Sequence, residues 1–261
     1  MSVTATRNRA RAKSGVPFGR LLIPFAGAAL VIALWELTVR VFAVPIYLVP
    51  APSDVWTALV ENRQILIDNL WPTATEAFLG FLLGNGVAIL LAVCFVYSDL
   101  VYRAFYPVSV ALRTIPIIAV APVFVIMFGN GISSKVLIAA LICFFPTLVN
   151  MVVGLKSVDP QTIELMKVLS ARPWEIFFKA RWYAALPFLF SSLEIAATSC
   201  VLGAIVAEWI GSEKGLGNLI IQATYDFRTP FLYAAMAVSS ALAVAGVLLI
   251  ALLKRLVVRW K

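Results

Sequence analysis

Long apolar runs separated by short polar segments dominate the chain. A helix needs roughly 20 residues to cross about 30 Å of hydrocarbon, and six runs are that long. Membrane β-strands alternate polar and apolar residues over short segments, whereas these runs are continuously apolar. The sequence therefore predicts an all-α, polytopic membrane protein of about six transmembrane helices, at residues 21–44, 73–97, 105–128, 134–153, 186–210 and 231–253.

Composition supports lipid as the solvent of this chain. Of its 261 residues, 62% are hydrophobic and 13% are charged, against roughly 45–50% and 25% in soluble domains. Histidine is absent, and Cys94, Cys143 and Cys200 lie within apolar runs without C-x-x-C spacing. We therefore expect no metal or redox site, since free cysteine commonly acts as a small buried hydrophobe.

Basic residues set the orientation, because short cytoplasmic loops carry an excess of Lys and Arg. With the N-terminus inside, fifteen Lys and Arg residues fall on the cytoplasmic side and five outside. The net charge of +8 is thus explained by topology rather than by nucleic acid. The expected organisation is a basic cytoplasmic tail at 1–20, a transmembrane permease domain at 21–253 with an outer segment at 45–72 and a cytoplasmic loop at 154–185, and a cytoplasmic tail at 254–261.

Two polar segments contain helix-start signals. In the cytoplasmic loop, residues 159–178 predict two short helices, the first capped by Asp159 with Pro160 in its first turn. Pro173 restarts the second helix, because its missing N–H would be unpaired there anyway, and Glu175 falls in that positive first turn. In the outer segment, Ser53 or Asp54 is predicted to cap a short helix.

The cytoplasmic loop carries a family resemblance. Its run Glu164-Leu-Met-Lys-Val-Leu-Ser170-Ala-Arg-Pro-Trp174, closed by Ala185-Leu186-Pro187, resembles the "EAA loop" of binding-protein-dependent ABC importer permeases. Leu165 and Met166 replace the family's two alanines, Ser170 its glycine, and Trp182-Tyr183 an internal Leu-Pro. We expect Ser170 to make the turn with a backbone that avoids positive φ, so that the loop keeps its fold.

Two further motifs in the expected order strengthen the resemblance. Leu112-Arg113-Thr-Ile-Pro116, followed by Ala121-Pro122 and Phe128-Gly129, is similar to the third-span signature of the nitrate, taurine and alkanesulfonate branch. Ala207-Glu208-Trp-Ile-Gly211 through Gly215-Leu216-Gly217 resembles the end of that branch's fifth span. The similarity covers roughly residue 35 to the C-terminus.

The resemblance implies a type I ABC permease fold in the bacterial plasma (inner) membrane, with both termini cytoplasmic. It also implies a homodimer that binds two ATP-binding subunits and, outside, a solute-binding protein. The sequence contains no G-x-x-x-x-G-K-[ST] phosphate loop, so we expect no cofactor and no catalytic residue in this chain. ATP and Mg would be bound by the partner. The residues implied in coupling are Glu164, Lys167, Ser170, Ala171, Arg172 and Trp174.

Polar residues inside spans are costly and normally face a cavity or a partner. Glu194, Thr198 and Glu208 recur, with Val201 and Ile205, on one helical face of the fifth span, and Ser191 extends it. The two glutamates lie about 21 Å apart at 1.5 Å per residue. We predict that this face, with Arg113 of the third span, lines the translocation path. The alternative is packing, with Glu194 in a salt bridge with Arg113 or in an interhelical hydrogen bond.

Two alternatives concern function itself. An ion-gradient-driven secondary transporter would use Glu194 and Glu208 as proton or cation sites, and it would work without an ATPase. For an importer, the resemblance leaves open small anions such as nitrate or a sulfonate and, with a slight preference from the segment 210–217 and Phe227-Arg228-Thr-Pro230, a pyrimidine, riboflavin or aromatic vitamin precursor.

Overall fold

A computed structural model describes residues 18–258 of the chain. The predicted tails therefore lie largely outside the described residues, at 1–17 and 259–261. Within the described range the chain forms α-helices joined by short turns, which confirms the all-α prediction. In chain order they are α1 Phe18–Val41, α2 Pro52–Glu61, α3 Arg63–Tyr97, α4 Asp99–Leu112, α5 Ile117–Phe128, α6 Ile132–Lys156, α7 Pro160–Val168, α8 Pro173–Ile176, α9 Trp182–Glu208, α10 Leu216–Tyr225 and α11 Thr229–Val257.

Five stretches of the described chain are helical, long and apolar enough to cross a membrane. Each overlaps one predicted span, although α3 begins at Arg63 rather than at residue 73 and α9 is extended backwards through α8 by a π-helical turn at Phe177–Arg181. The helix α11 continues to Val257, past the predicted start of the C-terminal tail at residue 254. The stretches are Ile23–Val41, Arg63–Tyr97, Ile132–Lys156, Pro173–Glu208 and Thr229–Val257.

The third predicted span is not one continuous helix. Residues 105–128 divide between α4 and the shorter apolar helix α5, with a bend at 113–116 that contains Arg113. Pro116 has no backbone N–H and disfavours helical geometry at the residue before it, so α4 ends just ahead of it. The Thr114 N–H closes the last turn onto the Ala111 carbonyl at 3.0 Å. The bend makes this span the irregular part of the bundle.

The helices α3, α6 and α9 pack side by side as the centre of the molecule, and α11 packs on α9. Gly80 and Gly84 bring α3 close to α6, since a Cβ at either position would overlap Ala139, Ala140 or Cys143. Small residues at such crossings let helix backbones approach in a membrane. The first span, α1, lies at the periphery with most of its apolar surface exposed.

The outer connections are more helical than predicted. Ala51, not Ser53 or Asp54, is the N-cap of α2, because Pro52 occupies the first helical position. Asp54 instead sits at the third position, where its carboxylate accepts the Ala51 N–H at 3.1 Å. The helix α3 begins at Arg63, inside the predicted outer segment 45–72, and α10 was not predicted at all.

Candidate functional site

The cytoplasmic loop folds as its start signals predict. Asp159 caps α7 by accepting the Gln161 N–H at 3.0 Å, and Pro160 is its first residue. Pro173 begins α8, and the Glu175 carboxylate accepts the Arg172 N–H at 2.9 Å. Two short helices therefore stand at the end of the bundle, each with an acidic group at its positive N-terminus.

The turn between α7 and α8 does not have the backbone expected for Ser170, which was predicted to avoid positive φ. Its φ is +58°, in the left-handed region that favours glycine. The Ser170 N–H bonds to the Lys167 carbonyl and the Ala171 N–H to the Met166 carbonyl, both at 2.9 Å. These two bonds are the Schellman ending of a helix, which requires a left-handed residue at this place. Serine therefore holds a strained backbone where the family has glycine.

Exposed apolar side chains cover the two loop helices. Val168 and the C-cap residue Leu169 follow Leu165 by three and four residues on α7, and Trp174 follows on α8. All four are more than half exposed, Val168 at 80%. The charged residues Glu164, Lys167 and Arg172 are exposed among them, and Ala171 is partly buried. Sequence reasoning identified Trp174 but missed the three aliphatic residues, although their three- and four-residue spacing is the signal of one helical face.

Aromatic contacts connect this loop to the bundle. The buried Phe177 ring lies 5.9 Å from the Tyr97 ring at the end of α3, and the Tyr97 hydroxyl reaches the Pro173 carbonyl at 3.4 Å. The Arg181 guanidinium donates to the Leu155 carbonyl of α6 at 3.1 Å. Glu164 borders an open groove of about 440 Å³ that Lys156, Lys167 and Arg181 also line. The contacts of Tyr97, Phe177 and Arg181 join α8 and the turn that follows it to α3, α6 and α9.

The inner half of α9 presents the predicted polar face. Ser191 and Thr198 are exposed, and Glu194 is partly exposed between them. The Glu194 carboxylate pairs with the Lys254 ammonium of α11 at 3.0 Å. The alternative of an intramembrane salt bridge at Glu194 is thus realised with Lys254 as its partner.

The prediction that the outer half of this face lines the translocation path is wrong. Glu208 is only 1% exposed, and Val201 and Ile205 are buried as well. Thr73 donates its hydroxyl to the Glu208 carboxylate at 2.6 Å, and the Gly217 N–H donates to it at 2.5 Å. The helical periodicity was right, but α3 and α10, whose position the sequence did not reveal, cover this end of α9.

Glu208 instead organises the start of α10. The Thr73 hydroxyl, besides donating to Glu208, accepts the Leu216 N–H at 2.8 Å, and the Asn69 side chain accepts the Gly215 N–H at 2.8 Å. A Cβ at Gly215 or Gly217 would overlap the Glu208 carboxylate. The motif that joins Glu208 to Gly215-Leu216-Gly217 is therefore a helix cap whose glycines make room for a buried acid.

An apolar cavity of about 810 Å³ lies beside the bend in the third span. Its walls come from the bend, α5, α6 and α9. Their side chains are almost entirely aliphatic and aromatic, as is usual for small-molecule sites. They include Ile115, Pro116, Phe124, Phe145, Leu202 and Trp209. Arg113, which was predicted to line the path, borders this cavity at the bend and is the one charged residue of the lining within residues 18–258.

The chain is a helical membrane bundle with a charged, partly apolar helical loop at one end and a cavity beside a broken span. These features are typical of membrane transport components. The family model described as "Binding-protein-dependent transport system inner membrane component" matches residues 84–261. The chain belongs to this family, and its function is that of the permease subunit of an ATP-driven importer.

Relatives of known name support this assignment. The chain is 33% identical, over 89% of its length and 93% of the relative's, to the formylaminopyrimidine transport permease protein ThiX of Halalkalibacterium halodurans. It is 32% identical, over 100% and 98%, to the riboflavin transport system permease protein RibX of Chloroflexus aurantiacus. A putative aliphatic sulfonates transport permease protein, SsuC of Bacillus subtilis, is 29% identical over 92% and 87%.

Solved structures with the same fold come from the MetNI methionine ABC transporter in inward-facing conformations. One such chain has a TM-score of 0.59 and 22% identity, covering 76% of this chain and 96% of that one. A second crystal form gives 0.62 and 20%. The type I ABC permease fold expected from the resemblance is thereby confirmed.

Proposed function

We propose that the loop 154–185 is the surface by which this importer permease engages a separate ATP-binding subunit. The exposed apolar face of α7 and α8 carries this proposal. A short polar loop that holds four large exposed apolar side chains among charges is typical of a protein-binding surface. Glu164, Lys167, Ser170, Ala171, Arg172 and Trp174 surround or form this face.

The connection to the bundle supports a coupling role. The π-helical turn joins α8 to α9 without a break, and Phe177 with Arg181 ties the junction to α3 and α6. Closure of two ATP-binding subunits would pull on α8 and thereby reorient α9. In this proposal ATP and Mg bind to the partner subunits, and the chain itself carries out no covalent reaction.

Orientation and assembly follow from the same proposal. The excess of Lys and Arg on one side supports a cytoplasmic position for this loop and both termini. Ser191, Glu194 and Thr198 leave α9 with an uncovered polar face in a single chain. We propose that a second copy of the chain faces it, so that the two copies enclose the path and a solute-binding protein docks at the outer end.

The solute that we propose is a flat nitrogen heterocycle, such as a pyrimidine precursor or a flavin. Two observations support it. The relatives at 33% and 32% identity are named for formylaminopyrimidine and riboflavin, and the cavity beside the bend is lined by apolar and aromatic side chains. Arg113 is the one charged side chain among the described residues of this lining, so a sulfonate or nitrate would meet a single cationic group, whereas a flat heterocycle would meet apolar walls over most of its surface.

Charge reversal in the loop tests the docking proposal. Glu164→Lys, combined with Ser170→Leu to crowd the turn, is expected to abolish co-purification of the ATP-binding subunit and ATP-driven uptake. Glu213→Lys is the matched control for co-purification, since Glu213 is also exposed but lies at the other end of α9. If the loop variant retains both properties, the loop is not the coupling surface.

Uptake by the complete transporter tests the proposed solute. Cells that express the permease, its ATP-binding subunit and its binding protein are expected to take up labelled formylaminopyrimidine or riboflavin, and not taurine or nitrate. The opposite preference would exclude the heterocycle while leaving the docking proposal intact.

A further inference from the structure

Three ionisable side chains are buried together at the outer end of the bundle. Glu76 of α3 is 3% exposed, Glu208 of α9 is 1% exposed and Lys135 of α6 is 9% exposed. The Lys135 ammonium lies 3.2 Å from Glu76 Oε1 and 2.7 Å from the Ser212 hydroxyl. Thr73, one helical turn before Glu76 on α3, donates its hydroxyl to Glu208 at 2.6 Å, so the Glu76 and Glu208 carboxyl groups face the same buried space. None of the coupling or path residues belongs to this cluster except Glu208, whose cap role is structural.

A hydrogen count shows that one donor is missing. Glu208 receives one hydrogen from Thr73 and one from Gly217, and Glu76 Oε1 faces Lys135. Among the described residues Glu76 Oε2 is buried and has no hydrogen-bond donor. Two ionised carboxylates are acceptors only, so they cannot hydrogen-bond to one another. A hydrogen bond at Glu76 Oε2 therefore requires a proton on one of the two acids.

The charge count gives the same answer. With both acids ionised, the cluster would bury two negative charges against the single positive charge of Lys135. An uncompensated charge away from water is strongly unfavourable. One added proton makes the cluster neutral, and two carboxyl groups that share a site commonly hold one proton between them.

We propose that Glu76 and Glu208 share one proton, placed between Glu76 Oε2 and the Glu208 carboxyl, and that Lys135 neutralises the remaining charge. The neutral cluster then latches the outer turn at 209–215 and the start of α10 onto α3 and α6. Ser212 completes the latch by bonding to Lys135 from the turn.

Other ionisable groups near the cluster do not supply the missing charge. Among residues 18–258, the bonds around the cluster involve the neutral Asn69 and Thr73 from α3 and Lys135 from α6. On the outer turn, Glu213 and Lys214 are exposed to the surroundings. Loss of the shared proton at alkaline pH would therefore leave two carboxylates against one ammonium and would loosen the latch.

Infrared spectroscopy of the full-length protein in lipid tests the proposal. The wild type is expected to show, at neutral pH, the C=O stretch of one protonated carboxyl group. Glu76→Gln and Glu208→Gln should each abolish it, because the one acid that remains is balanced by Lys135. Glu36→Gln is the control and should leave it, since Glu36 is partly exposed and paired with Arg40 at 3.0 Å.

Two outcomes would overturn the proposal: absence of the band in the wild type, or its persistence in Glu76→Gln. Thermal unfolding from mildly acidic to alkaline pH gives a second readout. The wild type should lose more thermal stability toward alkaline pH than Glu76→Gln, which has no shared proton to lose; parallel curves would contradict the latch. If Glu76→Gln does not fold, Glu208→Gln provides the same comparison.

Discussion

The two ends of α9 differ in how they use polar residues. At the outer end, Glu208 and its partners Thr73, Glu76 and Lys135 are buried, and almost every polar atom has a partner inside the chain. At the cytoplasmic end, α7 has no buried residue and exposes both its charges and its aliphatic side chains. Buried polar groups at the first end stabilise the fold, whereas the uncovered surface at the second end is the one that we propose binds the ATP-binding subunit.

This difference bears on how intramembrane acids are interpreted. Glu194 and Glu208 lie on the same helix, and both are acids within a span. Glu208 caps a helix deep in the protein, whereas Glu194 is partly exposed on a face that the single chain leaves open. A polar residue in a membrane helix is therefore a functional candidate only after its neighbours on other helices are known.

Gly215→Ala should have the largest effect on the outer end. The Gly215 backbone has φ +113°, and a Cβ there would overlap the Glu208 carboxylate. Strain and overlap together should lower the free energy of unfolding by about 2–4 kcal/mol. Denaturant unfolding in one detergent measures the loss, and Gly86→Ala, which meets open space on α3, is the control. Equal stability of the two variants would contradict the cap.

Thr73→Val should be the next most costly change. It removes the hydroxyl that bridges Glu208 and the Leu216 N–H, which leaves a buried donor unpaired at a cost of about 2 kcal/mol. Thr75→Val is the matched control, because Thr75 is exposed and bonds only back to Trp71 within its own helix. The same unfolding experiment should separate the two valine variants clearly.

Ser170→Gly should raise stability at the cytoplasmic end. Glycine adopts the observed φ of +58° without steric strain, so the gain should be about 0.5–1 kcal/mol. Ser157→Gly serves as the control, since Ser157 has an ordinary helical φ of −76° and should gain nothing. A destabilised Ser170→Gly protein would show that the serine side chain matters more than the turn.

Leu169→Ser should have the smallest effect on stability. Leu169 is 72% exposed, and surface substitutions usually change the free energy of unfolding by less than about 0.5 kcal/mol. Binding to the ATP-binding subunit should nevertheless weaken by about tenfold or more, as at other apolar anchors. Titration of the purified subunit onto the permease measures this. Unchanged affinity would show that the aliphatic face is not part of the docking surface.

Local patterns predicted much of the fold. Five of the six apolar runs, the caps of α7 and α8 and the loop between them follow from run length and from proline and acid positions, which are properties of neighbouring residues. The bend at 113–116 was missed because apolar runs flank it on both sides and together are long enough for one span, although Arg113 and Pro116 were visible in the sequence.

The burial of Glu208 and the partner of Glu194 could not be predicted. Both depend on which helices lie beside α9: α3 and α10 at one end, and Lys254 of α11 at the other. Such contacts join residues 60 or 135 positions apart, and no local period encodes them. The φ of Ser170 was missed for a different reason, since a substituted residue can retain the strained geometry of the glycine that it replaces.

Cysteine cross-linking tests most directly whether the loop binds the ATP-binding subunit. Trp174→Cys, in a chain whose exposed Cys94 is replaced by serine, is compared in inside-out vesicles and in intact cells. We predict a cross-link between residue 174 and the ATP-binding subunit in the vesicles, and no labelling by an impermeant maleimide from outside the cell. Labelling from outside without any cross-link would contradict the account.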